Sequence, residues 1–496
     1  MNNTQLLAEL QQTMQESPTL AMHLKAKSFR KVLVVGGGLA GAASALALSK
    51  VLGHESVTLL EARPETGGRV RSFIDQGSGE KIDNCQHLLM GCCVNLRRFT
   101  AELGLLTPWE KQKHLTFVTL DGKKSQFAAD PLPAPFHLTR AFWQLHTIPM
   151  RSKIALGKAV LAMATWQDSM GDELVAHWLD QQKQGDLERK AFWEPVLVSA
   201  LNDDFSRLGM RASRQVMVQA FLGGKEAFDV WLPTRPLGTL FGQELTNALI
   251  NAGVEVVVDC PVQKITHENR QITGVISRNG RIHAADSVVL AGSHKSSWDL
   301  LMRSGVNLPG PNWAAVLGAS SITSIHLWFN RRFLPVEHAA LVGCLGHWVF
   351  RKTWATPHDP YCQVLVSASD HLLTEDGESL VQKAANELLT IFATGHKADT
   401  HLIRGRVVRE KSATFRQTAD LDQIRPGPQT VFPGLFLAGD HTKTGWPSTM
   451  EGAVRSGLIA AKELLKSMGK TTLLEHEIIE TKRSWAQWWL SPKLPN

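Results

Sequence analysis

A short stretch in the first hundred residues concentrates side chains that could do chemistry. "DNCQHLLMGCC", from Asp83 to Cys93, holds three thiols, an imidazole and a carboxylate. Zinc accepts such thiol and imidazole ligands, but structural zinc sites usually pair two ligand groups across a longer loop. No second Cys-x-x-Cys or His-x-x-x-His occurs elsewhere in the sequence. We therefore predict no metal site here, and the role of the stretch depends on what positions it.

The composition places the chain among globular proteins with more than one domain. It has 496 residues, 43% hydrophobic and 20% charged, which exceeds one ordinary hydrophobic core. Six cysteines, two of them adjacent, do not make a disulfide framework and favour a reducing compartment. The net charge of +7 suits an anionic surface, but no cluster of Lys and Arg with interleaved aromatics occurs, so nucleic-acid binding is not expected.

The stretch "KVLVVGGGLAGAASALAL" has the pattern of a nucleotide-binding turn between a strand and a helix. Val32–Val35 is a short apolar strand, and three glycines follow in G-x-G-x-x-G spacing before an Ala- and Leu-rich helix. Such glycines allow a tight turn, close backbone approach to a pyrophosphate, and close packing of helix on strand. The residues predicted to bind the dinucleotide are Gly36, Gly38, Leu39, Ala40 and Gly41.

A second predicted strand, "SVTLLE", ends in Glu61, twenty residues beyond the last glycine of that turn. A carboxylate at this position accepts hydrogen bonds from the hydroxyl pair of a ribose. The following stretch, "EARPETGGRVRSF", adds Ala62, Arg63, a glycine pair that ends at Gly68, and Arg69. It resembles the second dinucleotide motif of the FAD-dependent amine oxidase and phytoene desaturase superfamily, where the arginine that matches Arg69 contacts the cofactor near its phosphates and flavin. The resemblance implies FAD as the cofactor.

Two further segments resemble the same superfamily. "PGLFLAGDHTKTGWPSTMEGAVRSG" combines a buried strand, Gly439 and Asp440, and a helix that opens near Ser448. In the superfamily the aspartate meets the ribityl or pyrophosphate part of FAD, and the helix N-terminus, here near Met450, faces the flavin pyrimidine, where its partial positive charge suits reduced flavin. In "AGVEVVVDCPVQKI", the residue that matches Val262 contacts the adenine through its backbone.

These signatures imply an α/β fold with a Rossmann-like FAD-binding domain, of the GR2 type of flavoproteins, and an inserted α+β substrate domain. The FAD-binding domain would be discontinuous in sequence, with the substrate-binding blocks between its parts. The predicted division is an N-terminal extension (1–30), the FAD-binding domain (31–100, 240–300 and 425–465), the substrate-binding domain (101–239 and 301–424) and a C-terminal tail (466–496).

Four blocks resemble one branch of the superfamily, the hydroxysqualene dehydroxylases, also called squalene-associated FAD-dependent desaturases. They are "DNCQHLL", "FWEPVLVSALND", "WLPTRPLGTLF" and "TGWPSTMEGAVRSG". Carotenoid desaturases share the ends but match the middle blocks less well. Two residues depart from the branch: Cys85 stands where glycine is common, and His441 where an aromatic often follows the aspartate. The single tyrosine, Tyr361, argues against amine oxidation, since amine oxidases often hold the amine between two tyrosines.

The resemblance implies reductive removal of an allylic hydroxyl from a C30 isoprenoid, which yields squalene. Hydride from reduced flavin would replace the hydroxyl after acid-assisted loss of water through an allylic cation. His87 is the candidate proton donor, because it is the only histidine that lies in a motif expected near the flavin and also matches the family there; a hydrogen-bonded structural role is the alternative. A phytoene- or carotenoid-type desaturase, an amine oxidase and a non-enzymatic lipid-binding scaffold stay open as other functions.

An isoprenoid lipid substrate implies contact with a membrane. In the tail "KRSWAQWWLSPKLPN", Trp485, Trp488 and Trp489 share one predicted helical face beside basic residues, which is typical of an interfacial anchor. Packing of these tryptophans on the substrate domain is the alternative. We expect a cytoplasmic protein, peripheral on the inner face of the cytoplasmic membrane, where it could associate with other enzymes of the squalene pathway.

Overall fold

The computed structural model describes residues 31–167, 171–352, 360–393, 399–470 and 478–479. The predicted N-terminal extension and the tail tryptophans Trp485, Trp488 and Trp489 lie outside the described residues.

In the described part of the chain, twenty strands form five sheets. They are β1 (Val32–Val35), β2 (Val57–Leu60), β3 (Ser72–Ile74), β4 (Lys81–Asp83), β5 (Leu89–Met90), β6 (Trp109–Gln112), β7 (His114–Thr119), β8 (Lys124–Ala128), β9 (Val230–Pro233), β10 (Glu255–Val257), β11 (Val262–Glu268), β12 (Gln271–Ser277), β13 (Ile282–Ala284), β14 (Ser287–Leu290), β15 (Ser320–Phe329), β16 (His338–Val342), β17 (Trp348–Arg351), β18 (Tyr361–Val366), β19 (Leu402–Thr414) and β20 (Leu435–Leu437).

The described α-helices are α1 (Leu39–Leu52), α2 (Val94–Glu102), α3 (Thr139–Trp143), α4 (Met150–Thr165), α5 (Val175–Gln181), α6 (Asp186–Glu188), α7 (Ser199–Leu201), α8 (Met210–Val216), α9 (Leu245–Asn251), α10 (His294–Arg303), α11 (Trp313–Val316), α12 (Gly377–Phe392), α13 (Leu421–Ile424) and α14 (Met450–Ser467). Short 3₁₀ turns cover Phe136–Leu138 and Ser369–Leu372, and π-helical segments cover Arg189–Val198, Met217–Leu222 and Thr239–Glu244.

A five-stranded parallel sheet carries the glycine-rich turn. Its strand order is β10-β2-β1-β14-β20, and every neighbouring pair is parallel. β1, β2 and β14 are buried along their whole length, as expected of parallel strands that are covered on both faces. This is a Rossmann-like arrangement, so the α/β fold class that the turn predicts is confirmed.

Helices α1 and α14 pack against each other beside this sheet. α1 is buried from Leu39 to Ser49, and small residues let α14 come close: a Cβ atom on Gly457 would lie 2.1 Å from the carbonyl oxygen of Ala40. The contact places the loop before α14, which contains Asp440, next to the glycine-rich turn. Two motifs far apart in the sequence thereby meet at the carboxyl ends of the parallel strands, where open α/β sheets bind ligands.

A seven-stranded sheet, β19-β15-β18-β17-β16-β7-β8, forms the second layer. Its pairs are antiparallel except β16 with β7. α12 packs with one part of this sheet in an apolar core, and the helical region that contains α3 to α8 forms another core around Trp193 and Phe228. All strands of the parallel sheet come from the ranges assigned to FAD binding, and those of the larger sheet from the ranges assigned to the substrate. The division into domains stays a prediction.

None of the described helices combines the length and the apolarity that are needed to cross a bilayer.

Candidate active site

The glycine-rich turn owes its shape to two close backbone contacts. Gly36 has a φ of +112°, and a Cβ atom there would lie 2.8 Å from the carbonyl oxygen of Ala291 at the end of β14. A Cβ atom on Gly41 would lie 1.9 Å from the carbonyl oxygen of Gly36. Any side chain at either position would therefore push the strand and helix apart.

Gly38 is different, because the protein leaves room for a side chain there. A Cβ atom on Gly38 would meet only the Cα atom of Gly68, at 3.8 Å. Gly38 is the N-cap of α1 and has no side chain to cap the helix, and the first turn of α1 holds no acidic residue. No described acceptor receives a hydrogen bond from the buried N–H groups of Leu39 and Ala40. Buried N–H groups nearly always have partners, so this helix N-terminus fits an external anion such as the pyrophosphate of FAD.

Glu61 lies at the carboxyl end of β2 with both carboxylate oxygens fixed by the backbone. Its Oε2 accepts a hydrogen bond from the amide of Gly37 at 2.6 Å, and its Oε1 accepts one from the amide of Arg63 at 2.9 Å. The carbonyl oxygen of Glu61 accepts from the amide of Cys260, which brings the start of β11 and Val262 to the same edge of the sheet. A carboxylate oriented in this way has lone pairs left for the ribose hydroxyls of FAD.

Ala62 follows as an exposed residue, and Arg63 donates from its guanidinium to the carbonyl oxygen of Gly68 at 3.0 Å. The amide of Gly67 donates to the carbonyl oxygen of Gly37 at 2.9 Å. The second glycine motif is thus joined directly to the first, and the two form one continuous backbone surface.

Arg69 and Asp440 form an ion pair across the site. The guanidinium lies 2.7 Å from Oδ2 of Asp440 and also donates to the carbonyl oxygen of Ala413, at 2.8 Å. Burial alone would raise the pKa of Asp440, but the charge of Arg69 and the hydroxyl of Ser448, which donates at 2.6 Å, outweigh burial and lower this pKa to about 2. Asp440 in turn raises the pKa of Arg69. The Arg69 side chain remains 38% accessible, so its guanidinium can also meet a cofactor.

The loop between Gly439 and Met450 is fixed by hydrogen bonds from Arg425, a residue that the sequence patterns do not identify. Arg425, which is buried, donates to the carbonyl oxygens of Asp440 and Trp446 and to the hydroxyl of Thr444. No local spacing marks this arginine. A buried guanidinium beside three acceptors fixes the loop so that Asp440 keeps its place.

The helix after this loop begins at Met450, two residues later than the sequence predicts. Thr449 is its N-cap and accepts a hydrogen bond from the amide of Gly452 at 3.1 Å. Ser448 stays outside the helix and bonds to Asp440 instead. The Met450 amide therefore lies in the first turn of α14, where the partial positive charge of the helix is concentrated.

His87 lies on the segment that leads from this site into β5. Its Nδ1 is 2.9 Å from the carbonyl oxygen of Cys85. A carbonyl oxygen only accepts, so Nδ1 carries the hydrogen and Nε2 presents a lone pair. Burial lowers the pKa of His87, and the charge of Arg69 lowers it further, against the carbonyl contact that raises it. At neutral pH this ring is uncharged, and it would have to take up a proton before it could act as an acid.

Asp83 and Asn84 position this segment. Oδ1 of Asp83 accepts from the Ser72 hydroxyl at 2.5 Å and from the Leu237 amide at 2.9 Å. Burial raises the pKa of Asp83 to about 7. The side-chain amide of Asn84 donates to the carbonyl oxygen of Arg69 at 3.4 Å. The polar start of "DNCQHLL" is therefore bonded to the same backbone that carries the ion pair.

The cysteine thiols considered above as zinc ligands have apolar surroundings. Cys85 is buried, and burial raises the pKa of its thiol to about 12. Cys92 packs with Ala220, Ala227 and Trp446 in a small apolar cluster. Among the described residues, no group of three or more His, Cys, Asp or Glu side chains is placed to hold a metal ion.

Apolar side chains begin directly beyond His87. Leu88 and Met90 are partly buried and pack against the core of the helical region, as do Phe221, Trp348 and Leu365. His87 is thus influenced by the charge of Arg69, and the residues that follow it in the chain enter an apolar core.

This fold and site define an FAD-dependent oxidoreductase. The sequence profile described as flavin containing amine oxidoreductase matches residues 39–465, and the chain belongs to that family. The family supplies the cofactor, FAD. The residues above fit FAD through their unpartnered helix amides, an oriented carboxylate and a partly accessible arginine, and the assignment of each residue to the cofactor stays a prediction.

Named relatives span nearly the same length as this chain. A hydroxysqualene dehydroxylase of Sinorhizobium fredii is 28% identical over 439 residues, which cover 87% of this chain and 97% of the relative. A hydroxysqualene dehydroxylase of Zymomonas mobilis is 26% identical over 444 residues, covering 86% and 97%. A 15-cis-phytoene desaturase of Glycine max is 24% identical over 487 residues, covering 90% and 82%.

Solved structures with the same fold are more distant in sequence. An oxidoreductase from Methanosarcina mazei is 18% identical with a TM-score of 0.63, covering 86% of this chain and 99% of that one. A putrescine oxidase bound to putrescine is 15% identical with a TM-score of 0.63, covering 88% and 99%. At these identities the likeness concerns the fold alone.

Proposed function

We propose that this chain reduces hydroxysqualene to squalene with electrons from FAD. The supporting observations are that the charge of Arg69 acts on the ring of His87, and that Leu88 and Met90, which follow His87 in the chain, pack against an apolar core. A substrate with one hydroxyl on a long hydrocarbon needs one polar contact in otherwise apolar surroundings. The dehydroxylase relatives, which this chain covers over 97% of their length, agree with this choice.

The reaction replaces a carbon–oxygen bond by a carbon–hydrogen bond. The substrate R–OH takes up a proton and a hydride and leaves as R–H and water; the carbon is reduced, and the two electrons come from FAD, which when bound in its reduced form supplies the hydride. The proton has to reach the departing hydroxyl before or as the carbon–oxygen bond breaks.

His87 is the residue that we propose meets that hydroxyl. Its Nε2 lone pair accepts a hydrogen bond from the substrate O–H, which orients the leaving group. For His87 to act as the proton donor, the ring must first be protonated, and the nearby charge of Arg69 opposes this. Phe221 and Trp348 pack against the same apolar core as Leu88 and Met90, and aromatic rings of this kind can stabilise a transient allylic cation.

A polyene desaturase is the second candidate, since phytoene desaturases are 24% identical over 90% of this chain. The electrons would then flow in the opposite direction, from the hydrocarbon to FAD. An amine oxidase is a third candidate, but Tyr361 cannot supply two tyrosines, and its hydroxyl is bonded to the buried ring of His326 at 2.8 Å.

A membrane-peripheral location on the cytoplasmic side, with an isoprenoid lipid as substrate and other squalene-pathway enzymes as neighbours, belongs to the same proposal. A substrate without appreciable solubility in water has to be taken from a bilayer.

Anaerobic mixing separates the candidates. The enzyme is photoreduced and mixed with detergent-dispersed hydroxysqualene, and in parallel the oxidised enzyme is mixed with phytoene or with putrescine. Flavin reoxidation with one squalene formed per flavin supports the dehydroxylase. Flavin reduction by phytoene supports the desaturase and by putrescine the amine oxidase, and either result without squalene formation in the first arm contradicts our proposal.

A further inference from the structure

One surface of the helical region exposes large apolar side chains that the core does not use. Met150, Ile154 and Leu161 are 60%, 50% and 64% accessible, and all three lie on α4. Trp143 at the end of α3 is 43% accessible. We call this surface the helical face; its residues are Trp143, Met150, Ile154 and Leu161.

The helical face is rigidly supported from inside. Leu156, Ala159 and Met163, on the opposite side of α4, are buried in the core of the helical region. Lys153 donates from its ammonium group to the carbonyl oxygen of Trp143 at 2.6 Å and so ties α4 to the end of α3. Because the inner residues already anchor α4, the outer apolar residues contribute little to the fold, and their exposure needs another explanation.

The stretch of sequence that carries the helical face is basic. From residue 131 to residue 167 it holds four Lys and Arg residues and no Asp or Glu, with Asp130 and Asp168 at its borders. Arg140, Arg151 and Lys158 are exposed, and none of them forms an ion pair with a described residue. The Asp130 carboxylate accepts a hydrogen bond from the amide of Leu132, and the short helix α6, Asp186–Glu188, contacts α4.

We propose that the helical face docks this protein on an anionic lipid bilayer. Exposed large apolar side chains flanked by unpaired Arg and Lys are the combination that enters the boundary between headgroups and acyl chains. A second copy of the chain suits the surface less well, since two copies would bring Arg140, Arg151 and Lys158 against the same positive charges. This docking is a separate contact from the predicted tail anchor.

The helical face also connects to the proposed site, and this step rests on the proposed function. Phe142, between Trp143 and the core, packs edge-to-face on Phe192 at 6.1 Å between ring centroids. Phe192 belongs to the same apolar core on which Leu88 and Met90 pack beside His87. The docking surface and the segment that carries His87 therefore pack against the same apolar core.

Vesicle binding tests the docking surface on the full-length holoenzyme. The variant Ile154→Glu/Leu161→Glu is compared with Ile250→Glu/Ile282→Glu, which changes two isoleucines that are 50% and 70% accessible on other surfaces. Both are sedimented with vesicles of phosphatidylcholine and phosphatidylglycerol in equal parts, and with phosphatidylcholine alone. We expect binding of the first variant to mixed vesicles to fall at least about tenfold, and the control to bind like the unchanged protein.

Two outcomes overturn the proposal. The first is unchanged binding of Ile154→Glu/Leu161→Glu while a chain that ends at residue 479 loses binding, which would place the membrane contact in the tail. The second is a loss of self-association by this variant, seen by analytical ultracentrifugation, without a change in vesicle binding. Flavin absorbance and melting temperature confirm that each variant is folded.

Vesicle binding requires no substrate, so it is independent of the proposed function. Absence of squalene formation with normal vesicle binding would contradict the dehydroxylase alone. If the docking surface and the dehydroxylase activity are both correct, the Ile154→Glu/Leu161→Glu variant should keep its turnover with detergent-dispersed hydroxysqualene. Its turnover should fall at least about tenfold with hydroxysqualene embedded in mixed vesicles.

Discussion

Arg69 and Asp440, from opposite ends of the sequence, meet at 2.7 Å where the two glycine motifs and the loop before α14 converge. The ion pair links the second glycine motif, which carries Arg69, to the loop before α14, which carries Asp440. Arg69 also donates to the carbonyl oxygen of Ala413 at the end of β19, and Asp440 accepts a hydrogen bond from Ser448. The parallel sheet and the seven-stranded sheet are thereby linked at the residues predicted to hold FAD.

Neutralising Asp440 should release FAD. In Asp440→Asn the partly accessible guanidinium of Arg69 loses its counter-charge, which, with solvent screening on the Arg69 side, costs about 1 kcal/mol. We expect purified protein with strongly reduced flavin content, measured by the ratio of absorbance at 450 nm, roughly the flavin maximum, to protein absorbance. Asp121→Asn is the control, because Asp121 forms a surface ion pair with Lys123 at the same distance of 2.7 Å. Equal flavin content in the two variants would contradict the role of Asp440.

Substitutions at two glycines of the first turn should distinguish an effect on FAD binding from an effect on the stability of the fold. Gly38→Ala adds a methyl group where the protein leaves room, so we expect an apoprotein whose stability changes by less than about 0.5 kcal/mol but whose FAD affinity falls at least about tenfold. Gly36→Ala forces φ +112° on alanine beside a carbonyl oxygen and should destabilise the apoprotein itself, by about 1 to 3 kcal/mol.

Thermal unfolding of the two apoproteins and flavin titration provide the measurements. If Gly38→Ala binds FAD normally, the space beside Gly38 does not receive the cofactor.

Asp83 should make the stability of the protein depend on pH in a defined direction. Its pKa is about 7 in the folded state, against an ordinary value of 3.8. Between these values the folded protein keeps a proton that the unfolded chain has lost, so the unfolding free energy decreases as pH rises from about 4 to about 7, by up to a few kcal/mol. In Asp83→Asn, which retains the oxygen that bonds to Ser72 and Leu237, the decrease should disappear.

Melting temperatures of the unchanged protein and of Asp83→Asn at pH 5 and pH 7 test this expectation. An equal decrease in both proteins would assign the pH dependence to other groups.

His87 should affect turnover but not cofactor content. In His87→Gln the side-chain amide can still bond but cannot supply an imidazole lone pair or proton, so we expect kcat for hydroxysqualene to fall by about 10² or more. His177→Gln, which changes a surface histidine paired with Glu173, is the matched control. Unchanged turnover of His87→Gln with normal flavin content would remove His87 from the reaction and leave it the structural role given by its bond to Cys85.

The sequence predicts those parts of the site that are formed within one continuous segment of the chain. The turn at Gly36 and the carboxylate of Glu61 belong to one strand–turn–helix–strand unit, whose spacing the fold dictates. The hydrogen bond from Arg69 to Ala413 could not be predicted, because 344 residues separate the two and only packing brings them together. Arg425 lies only 15 residues before Asp440, but no motif spacing marks it.

The protonation state of His87 shows the same limit. Its residue type and motif mark it as a candidate acid, but the contact with the carbonyl oxygen of Cys85 decides that Nδ1 carries the hydrogen, and burial together with the charge of Arg69 lowers the pKa of the ring. In the same way, the sequence from 131 to 167 shows a lack of acidic residues, but which of its apolar side chains face outward depends on how α4 packs.

The most direct test of the account is a single turnover in heavy water. The enzyme is photoreduced anaerobically in D₂O, where the transferable hydrogen of reduced flavin exchanges with solvent, and hydroxysqualene is added in excess. The account predicts flavin reoxidation with one squalene per flavin, carrying one deuterium on carbon by mass spectrometry. Reduced flavin that persists without squalene formation, or squalene without deuterium, would contradict hydride transfer from FAD to this substrate.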